Sequence, residues 1–326
     1  MESTPGSEVV SEAARGPEYQ QLQRLGRHGW WWSLLGVAIE LVVLVVIAEL
    51  VLTAIFATGY ALAGDDVSAS LDRLVDTHHV TPLGLAYLNL GLAAAIPTGI
   101  LTTRYVHLLR PGALASVLGR IRWGWLAICL GLSVVTLVVT VIVSDLLPSQ
   151  GGGGANVSGH VNAFTGQSLG FLLVILFLTP FQAAGEEYAF RGYLTQAIGG
   201  VFRARWVAVA VPALLFALAH GSQSVPVFFD RLAFGLIAGV LVIATGGLEA
   251  GIAMHILNNF LAFGAALLFG DMSTTLSATG GNWWEIPVTL TQSLVYLGLA
   301  LWAARWRGIA TRAADTPELV ARNARV

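Results

Sequence analysis

Gly185-Glu186-Glu187-Tyr188-Ala189-Phe190-Arg191 follows a run of nearly pure hydrocarbon, Leu169 to Leu178. Two adjacent carboxylates after such a run are costly. An ionised group at the centre of a bilayer costs on the order of 3 kcal/mol or more unless it is paired or faces a polar cavity. Intramembrane ionisable groups are therefore functional-site candidates. Glu187 and Arg191 stand at i and i+4 with the acid N-terminal, the favourable order for a helical ion pair. Glu186 lies about 100° round the helix and has no such partner. The spacing predicts one carboxylate held by the arginine and the other free to act as a base. From these residues alone, a charge cluster capping a membrane helix at the interface fits equally well.

The composition places this stretch in a membrane protein. The chain has 326 residues, 56% hydrophobic and 11% charged. That balance predicts an all-α, polytopic helical membrane protein. Only helices and closed barrels satisfy backbone groups in lipid, and the apolar runs are too long for barrel strands. A net charge of −2 gives no sign of a nucleic-acid partner. All 17 basic residues are arginine, which reads as genome bias. The single cysteine, Cys129, lies in an apolar run and reads as a packing residue.

Working outward, eight apolar runs are candidate spans: 33–57, 82–102, 124–147, 167–190, 206–221, 226–244, 249–269 and 286–304. The fifth is short of the usual ~20 residues. Arginines sort the connections. Arg15, Arg24 and Arg27 precede the first run, and Arg104, Arg110, Arg120 and Arg122 follow the second. Arg191, Arg203 and Arg205 follow the fourth, and Arg305, Arg307, Arg312, Arg322 and Arg325 follow the eighth. The alternate connections hold only Arg73, beside Asp65, Asp66, Asp72 and Asp76. The positive-inside rule then gives about eight transmembrane helices in the cell membrane, with both termini cytoplasmic.

The organisation expected is a polar, disordered tail over 1–29, a membrane domain over 30–305 and a basic tail over 306–326. Trp30, Trp31 and Trp32 read as an interfacial anchor. Gly151 to Gly154 reads as a flexible linker, and Asn156-Val157-Ser158 as a chance glycosylation match. His78, His79 and His160 read as solvated loop residues. Asp230 and Arg231 read as a local interfacial pair. Glu40 and Glu49, nine positions apart, fall on opposite faces of a straight helix and cannot both face one site.

Downstream of the glutamates come Phe216-Ala217-Leu218-Ala219-His220 and His255-Ile256-Leu257-Asn258-Asn259. A lone histidine in an apolar helix is usually a satisfied core residue. Two of them in spans that follow a buried carboxylate pair suggest chemistry. His255 and Asn259 are one helical turn apart, and Asn258 is also near that face. Amide hydrolysis needs a base for water and donors for the oxyanion. A carboxylate desolvated among apolar helices becomes a better base. One histidine can share in holding the water, while the other and an asparagine amide donate to the oxyanion. The same His, His and Glu could instead hold zinc with an open position for water.

The three motifs, Glu186-Glu187-x-x-x-Arg191, Phe216-x-x-x-His220 and His255-x-x-x-Asn259, resemble in type, order and spacing those of the CPBP intramembrane proteases. That family includes the type II CaaX prenyl proteases and the Abi or bacteriocin-immunity-like proteins. The resemblance covers about residues 167–271. It implies an eight-helix peptidase with Glu186 and His220 activating water, and His255 and Asn259 stabilising the oxyanion. It implies supporting roles for Glu187, Arg191 and Phe216. It favours a glutamate mechanism with no cofactor required, a divalent metal such as zinc being the alternative. The expected partners are the bilayer and a membrane-tethered peptide or protein, with no nucleic acid. A transporter or proton relay is the competing class, because buried Glu, His and Asn chains also carry protons; no internal repeat of the transporter kind is seen. Straight, perpendicular spans would leave His220 far from Glu186 and His255, so the fourth or fifth span must tilt, kink or re-enter. Pro180 and Pro212 are the expected kink points.

Overall fold

A computed structural model describes residues 16–146, 160–221, 223–276, 281, 283–314 and 319–320. The proposed glycine linker and the Asn156 sequon lie outside these residues. The described residues are mostly helical and contain no strand. The helices of ten residues or more are α1 (Trp30–Ala63), α2 (Pro82–Tyr105), α3 (Trp123–Leu146), α4 (Gly166–Phe177), α5 (Thr179–Val201), α6 (Arg205–Ala219), α7 (Val225–Thr245), α8 (Glu249–Phe269) and α9 (Glu285–Trp306). Six of them are long and apolar enough to cross a membrane, and the α4–α5 pair makes a seventh if counted as one bent span. All eight expected runs are therefore helical, but α6, with 15 residues, is shorter than a crossing helix normally is.

Local chemistry sets the helix ends. Thr81 caps α2 by accepting from the Gly84 amide at 3.0 Å, with Pro82 at the first helical position. Gly64 and Gly246 end α1 and α7 in the left-handed conformation, with φ of 80° and 68°. The break between α4 and α5 comes at Leu178, beside Pro180, and bends the pair by 42°. This is one of the two kinks expected; Pro212 sits inside α6 without interrupting it.

The connections gather at two ends of the bundle. At one end the segment 16–28 meets 105–122 and the C-terminal stretch. Arg27 N donates to His107 O at 2.9 Å, Ala313 N to Pro17 O at 3.0 Å and Arg110 N to Leu319 O at 2.8 Å. Val117 N donates to Gly246 O at 2.9 Å, joining the α7–α8 turn to the same end. At the other end Val80 N donates to Ser273 Oγ at 2.9 Å, and Asn162 N to Leu268 O at 2.7 Å. The arginine-rich connections thus meet at one end, together with the arginine-free α7–α8 turn, and the first and last described segments lie together there.

Residues 16–28, expected in a loose tail, are folded. Tyr19–Leu25 forms a 3₁₀ turn in which Tyr19 and Leu22 are fully buried. In a 3₁₀ turn i and i+3 eclipse, so these two residues make a small apolar face inside a polar sequence. They join Leu109, Leu114, Tyr193 and Leu248 in one cluster.

A second correction concerns α1. Nine residues at 100° would set Glu40 and Glu49 about 180° apart. A π-turn, Val43–Ala48, lies between them. One inserted residue reduces the offset to about 80°, and both carboxylates face α2. Glu49 accepts from Tyr87 Oη at 2.6 Å. Glu40 is buried against Gly99, whose position for a Cβ lies 3.8 Å from Oε1.

The strongest polar staple is Arg122–Glu249. Arg122 Nη2 and Nε donate to the two carboxylate oxygens at 2.6 and 2.9 Å, and the Arg122 amide adds a bond of 2.8 Å. Nη1 donates to Thr245 O and Ala310 O at 2.9 and 3.0 Å. One guanidinium thus ties the starts of α3 and α8 to the end of α7 and the C-terminal stretch. Breaking one side of a buried pair costs about 3–5 kcal/mol. Arg122→Met is expected to lower the thermal unfolding midpoint in detergent accordingly, and Arg122→Met with Glu249→Leu to recover most of the loss.

Candidate active site

α5 carries the two glutamates where its geometry changes. A π-turn runs from Glu187 to Leu194, a feature frequent at functional sites. Gly185 lets α5 approach α2 closely: a Cβ there would collide with the Leu92 carbonyl. The expected ion pair is present, Arg191 Nη1 lying 3.0 Å from Glu187 Oε1. Glu187 is wholly enclosed, whereas the Glu186 side chain keeps 12% of its exposure. The two carboxylates therefore differ in environment, as the spacing suggested.

α8 supplies the third group. His255 Nδ1 is 2.9 Å from Glu187 Oε1, and Nε2 is 3.1 Å from Glu186 Oε2. The imidazole is thus held between the two carboxylates. Both ring nitrogens can donate only if the ring carries two protons, and with Arg191 the four groups then sum to zero charge. Burial of such a set is tolerable because each charge has an opposite neighbour. One turn on, Asn259 Nδ2 donates to Gln182 Oε1 at 2.6 Å, on the turn of α5 preceding Glu186. Asn258 turns the other way, accepting from Gln292 of α9 at 3.3 Å. Of the two asparagines, Asn259 faces the glutamate helix.

α6 contributes Phe216 and His220. The Arg191 guanidinium lies 4.2 Å over the Phe216 ring, a cation–π contact. Phe216 is also edge-on to His255 at 6.0 Å, and Phe234 of α7 is edge-on to the same imidazole at 5.1 Å. His220 caps the end of α6, exposed, with its ring 4.7 Å from Phe216. Its Nδ1 donates to the Phe216 carbonyl at 2.8 Å. That bond places the proton on Nδ1 and leaves the Nε2 lone pair available. The structure thus brings Glu186, Glu187, Arg191, His255 and Phe216 into one contact set, with His220 adjoining through Phe216 and Asn259 through Gln182. The direct histidine partner of Glu186 is His255 rather than His220.

The donors fit zinc poorly. Both His255 nitrogens face carboxylates, and among the described residues no three His, Cys, Asp or Glu side chains are disposed to hold one metal ion.

Several residues were not legible as parts of this site. Gln182 and Phe234 look like ordinary helix residues in sequence. Arg231 was read as paired with Asp230. The two opposite charges do attract, and Arg231 also donates to Gln223 Oε1 at 2.7 Å, while Gln223 Nε2 donates to Ala217 O at 2.6 Å, which secures the connection after His220. Tyr193, two residues past Arg191, bonds through its hydroxyl to His107 Nε2 at 2.7 Å and anchors the π-turn to the α2–α3 connection. Cys129 is buried in the core, as expected.

The helices and this cluster define a multi-pass membrane protein with a carboxylate–histidine centre. Residues 168–261 match the family described as type II CAAX prenyl endopeptidase Rce1-like. The matched segment contains all three motifs and bears out the resemblance drawn from them. It supports a CAAX-type intramembrane protease. The chain is also similar to the uncharacterized protein YyaK of Bacillus subtilis (strain 168), with 29% identity over 194 residues, 56% of this chain and 61% of that relative. The chain therefore spans less than two thirds of that relative's length. No solved structure matches.

Gly251, one turn before His255, leaves room for Glu187: a Cβ there would lie 2.8 Å from Oε2. Gly264, on the same helix, has nothing within 4 Å. Gly251→Ala is expected to destabilise by about 1–3 kcal/mol through overpacking. Gly264→Ala should be neutral or stabilising by up to about 1 kcal/mol. Thermal unfolding of the two variants in parallel measures the difference.

Proposed function

We propose that the protein is an intramembrane endopeptidase that hydrolyses a peptide bond in a membrane-tethered substrate. One observation carries this reading: the more accessible carboxylate, Glu186, is held beside His255 by a sealed Glu187–Arg191 pair within apolar helices. Such a centre combines a base with fixed positive charge in a low-dielectric site, where electrostatic stabilisation is strongest. Glu186 takes a proton from water, and the His220 Nε2 lone pair orients that water. The water oxygen attacks the scissile carbonyl carbon. The positive charge of His255 and the second amide proton of Asn259 stabilise the oxyanion. Glu186 then delivers its proton to the amide nitrogen as the C–N bond breaks. Glu187, Arg191 and Phe216 hold the arrangement.

His255 is six residues into α8, about 9 Å from the arginine-bearing end at 1.5 Å per residue. With arginine-rich connections cytoplasmic, both described ends lie in the cytoplasm and cleavage occurs near that face of the cell membrane. The reaction needs no cofactor in this scheme, and the partners are the bilayer and a tethered peptide or protein.

Glu186→Gln is expected to lower cleavage of a membrane-anchored peptide in proteoliposomes by roughly 10²–10⁴-fold, and to lower the unfolding midpoint while keeping a cooperative transition, because His255 loses one of its two carboxylate partners. Full activity in that variant would remove the base from the scheme. Activity should also survive exhaustive chelation; loss on chelation and recovery with zinc would require a metal site instead.

A further inference from the structure

At the arginine-bearing end, away from the carboxylates, a cavity of about 190 Å³ opens between α6 and α7. Its wall is apolar, formed by Val209, Val240 and Ile243, and its mouth is polar, with Glu18, Arg205, Trp206 and Thr311. The one carboxylate among the described lining residues is already engaged. Glu18 accepts from Arg312 Nη2 at 2.6 Å and from Gln20 Nε2 at 2.7 Å. What remains is a set of donors. The Arg205 guanidinium has no ion pair or hydrogen bond among the described residues. Trp206 and Thr311, each with a side-chain donor, line the same cavity, and Trp206 is 65% exposed. Glu18 and Arg312 cancel, so among the described residues at the mouth one positive charge remains, that of Arg205.

Free donors around one positive charge suit an acceptor-rich anion. An apolar wall beneath them suits a hydrocarbon chain. Only an amphiphile satisfies both. We propose that this cavity seats a glycerophospholipid, with its phosphate against Arg205, Trp206 and Thr311, and the start of one acyl chain along Val209 and Val240. The volume is below that of a site for a whole drug-sized molecule, so it takes the phosphate and glycerol region while the chains lie along the lipid-facing helices. Because α6 and α7 carry Phe216 and Phe234, the lipid would brace the two helices whose rings enclose His255. The site is independent of the peptidase reading.

The full chain, purified and stripped of lipid in detergent, is titrated with dioctanoylphosphatidylglycerol, dioctanoylphosphatidylethanolamine and inorganic phosphate. Bound phospholipid is counted by native mass spectrometry and the unfolding midpoint is followed. Both phospholipids should bind and raise the midpoint, and phosphate at the same concentration should do neither. Arg205→Gln should weaken phospholipid binding at least roughly tenfold, whereas Arg203→Gln, outside the cavity, should leave it unchanged. Val240→Trp, which fills the wall, should abolish it. Wild-type binding by Arg205→Gln would overturn the proposal, as would phosphate alone binding as tightly as phospholipid, which marks a free-anion site. Arg205 is exposed, so its variant folds and decides the question even if Val240→Trp does not.

Discussion

A carboxylate sealed from solvent, Glu187, is what the rest of the centre is built to tolerate. It has no exposed surface, and it touches both a guanidinium and an imidazole. Removing a charge from water costs several kcal/mol per ion even after relaxation, so every neighbour has to return part of that cost. Arg191 does so directly, and its own desolvation is offset by the Phe216 face. Gly251 yields the space. The π-turn beginning at Glu187 sets the angle at which this group and Arg191 face inward. With the inner acid fixed, the outer acid becomes a distinct chemical entity: same helix, adjacent residue, different access.

The height of His255 is fixed from outside the cluster. Its helix starts at Glu249, which Arg122 holds through the backbone amide and two guanidinium nitrogens. The polar end of the bundle and the buried charges are therefore mechanically joined by less than two turns of α8. Tyr193 does the same for α5 through His107. These two ties use long-range partners, 127 and 86 residues apart in sequence.

That separation explains what the sequence alone could convey. The helical class and the arginine asymmetry were legible because each is a property of a local window. So were the three motifs, and the Glu187–Arg191 pair, whose partners are one turn apart. The sandwiching of His255 by both acids was not, because it depends on how α8 docks against α5. Nor was the shared face of Glu40 and Glu49, because an inserted π-turn leaves no compositional mark in Val43–Ala48. Tyr19 and Leu22 were missed for the opposite reason. Two apolar residues in a polar stretch fall below any periodicity threshold, yet they suffice for a single 3₁₀ turn.

The brevity of α6 has a consequence for the surrounding lipid. Fifteen residues rise about 22 Å, against a hydrocarbon thickness of about 30 Å. A segment that short is accommodated by bilayer thinning or by shielding from neighbouring helices. Thinning leaves a dimple in the apolar layer beside His220, which ends that helix. Headgroups and their hydration would sag inward there, giving water a short route to the exposed imidazole of His220 through a layer that otherwise excludes it.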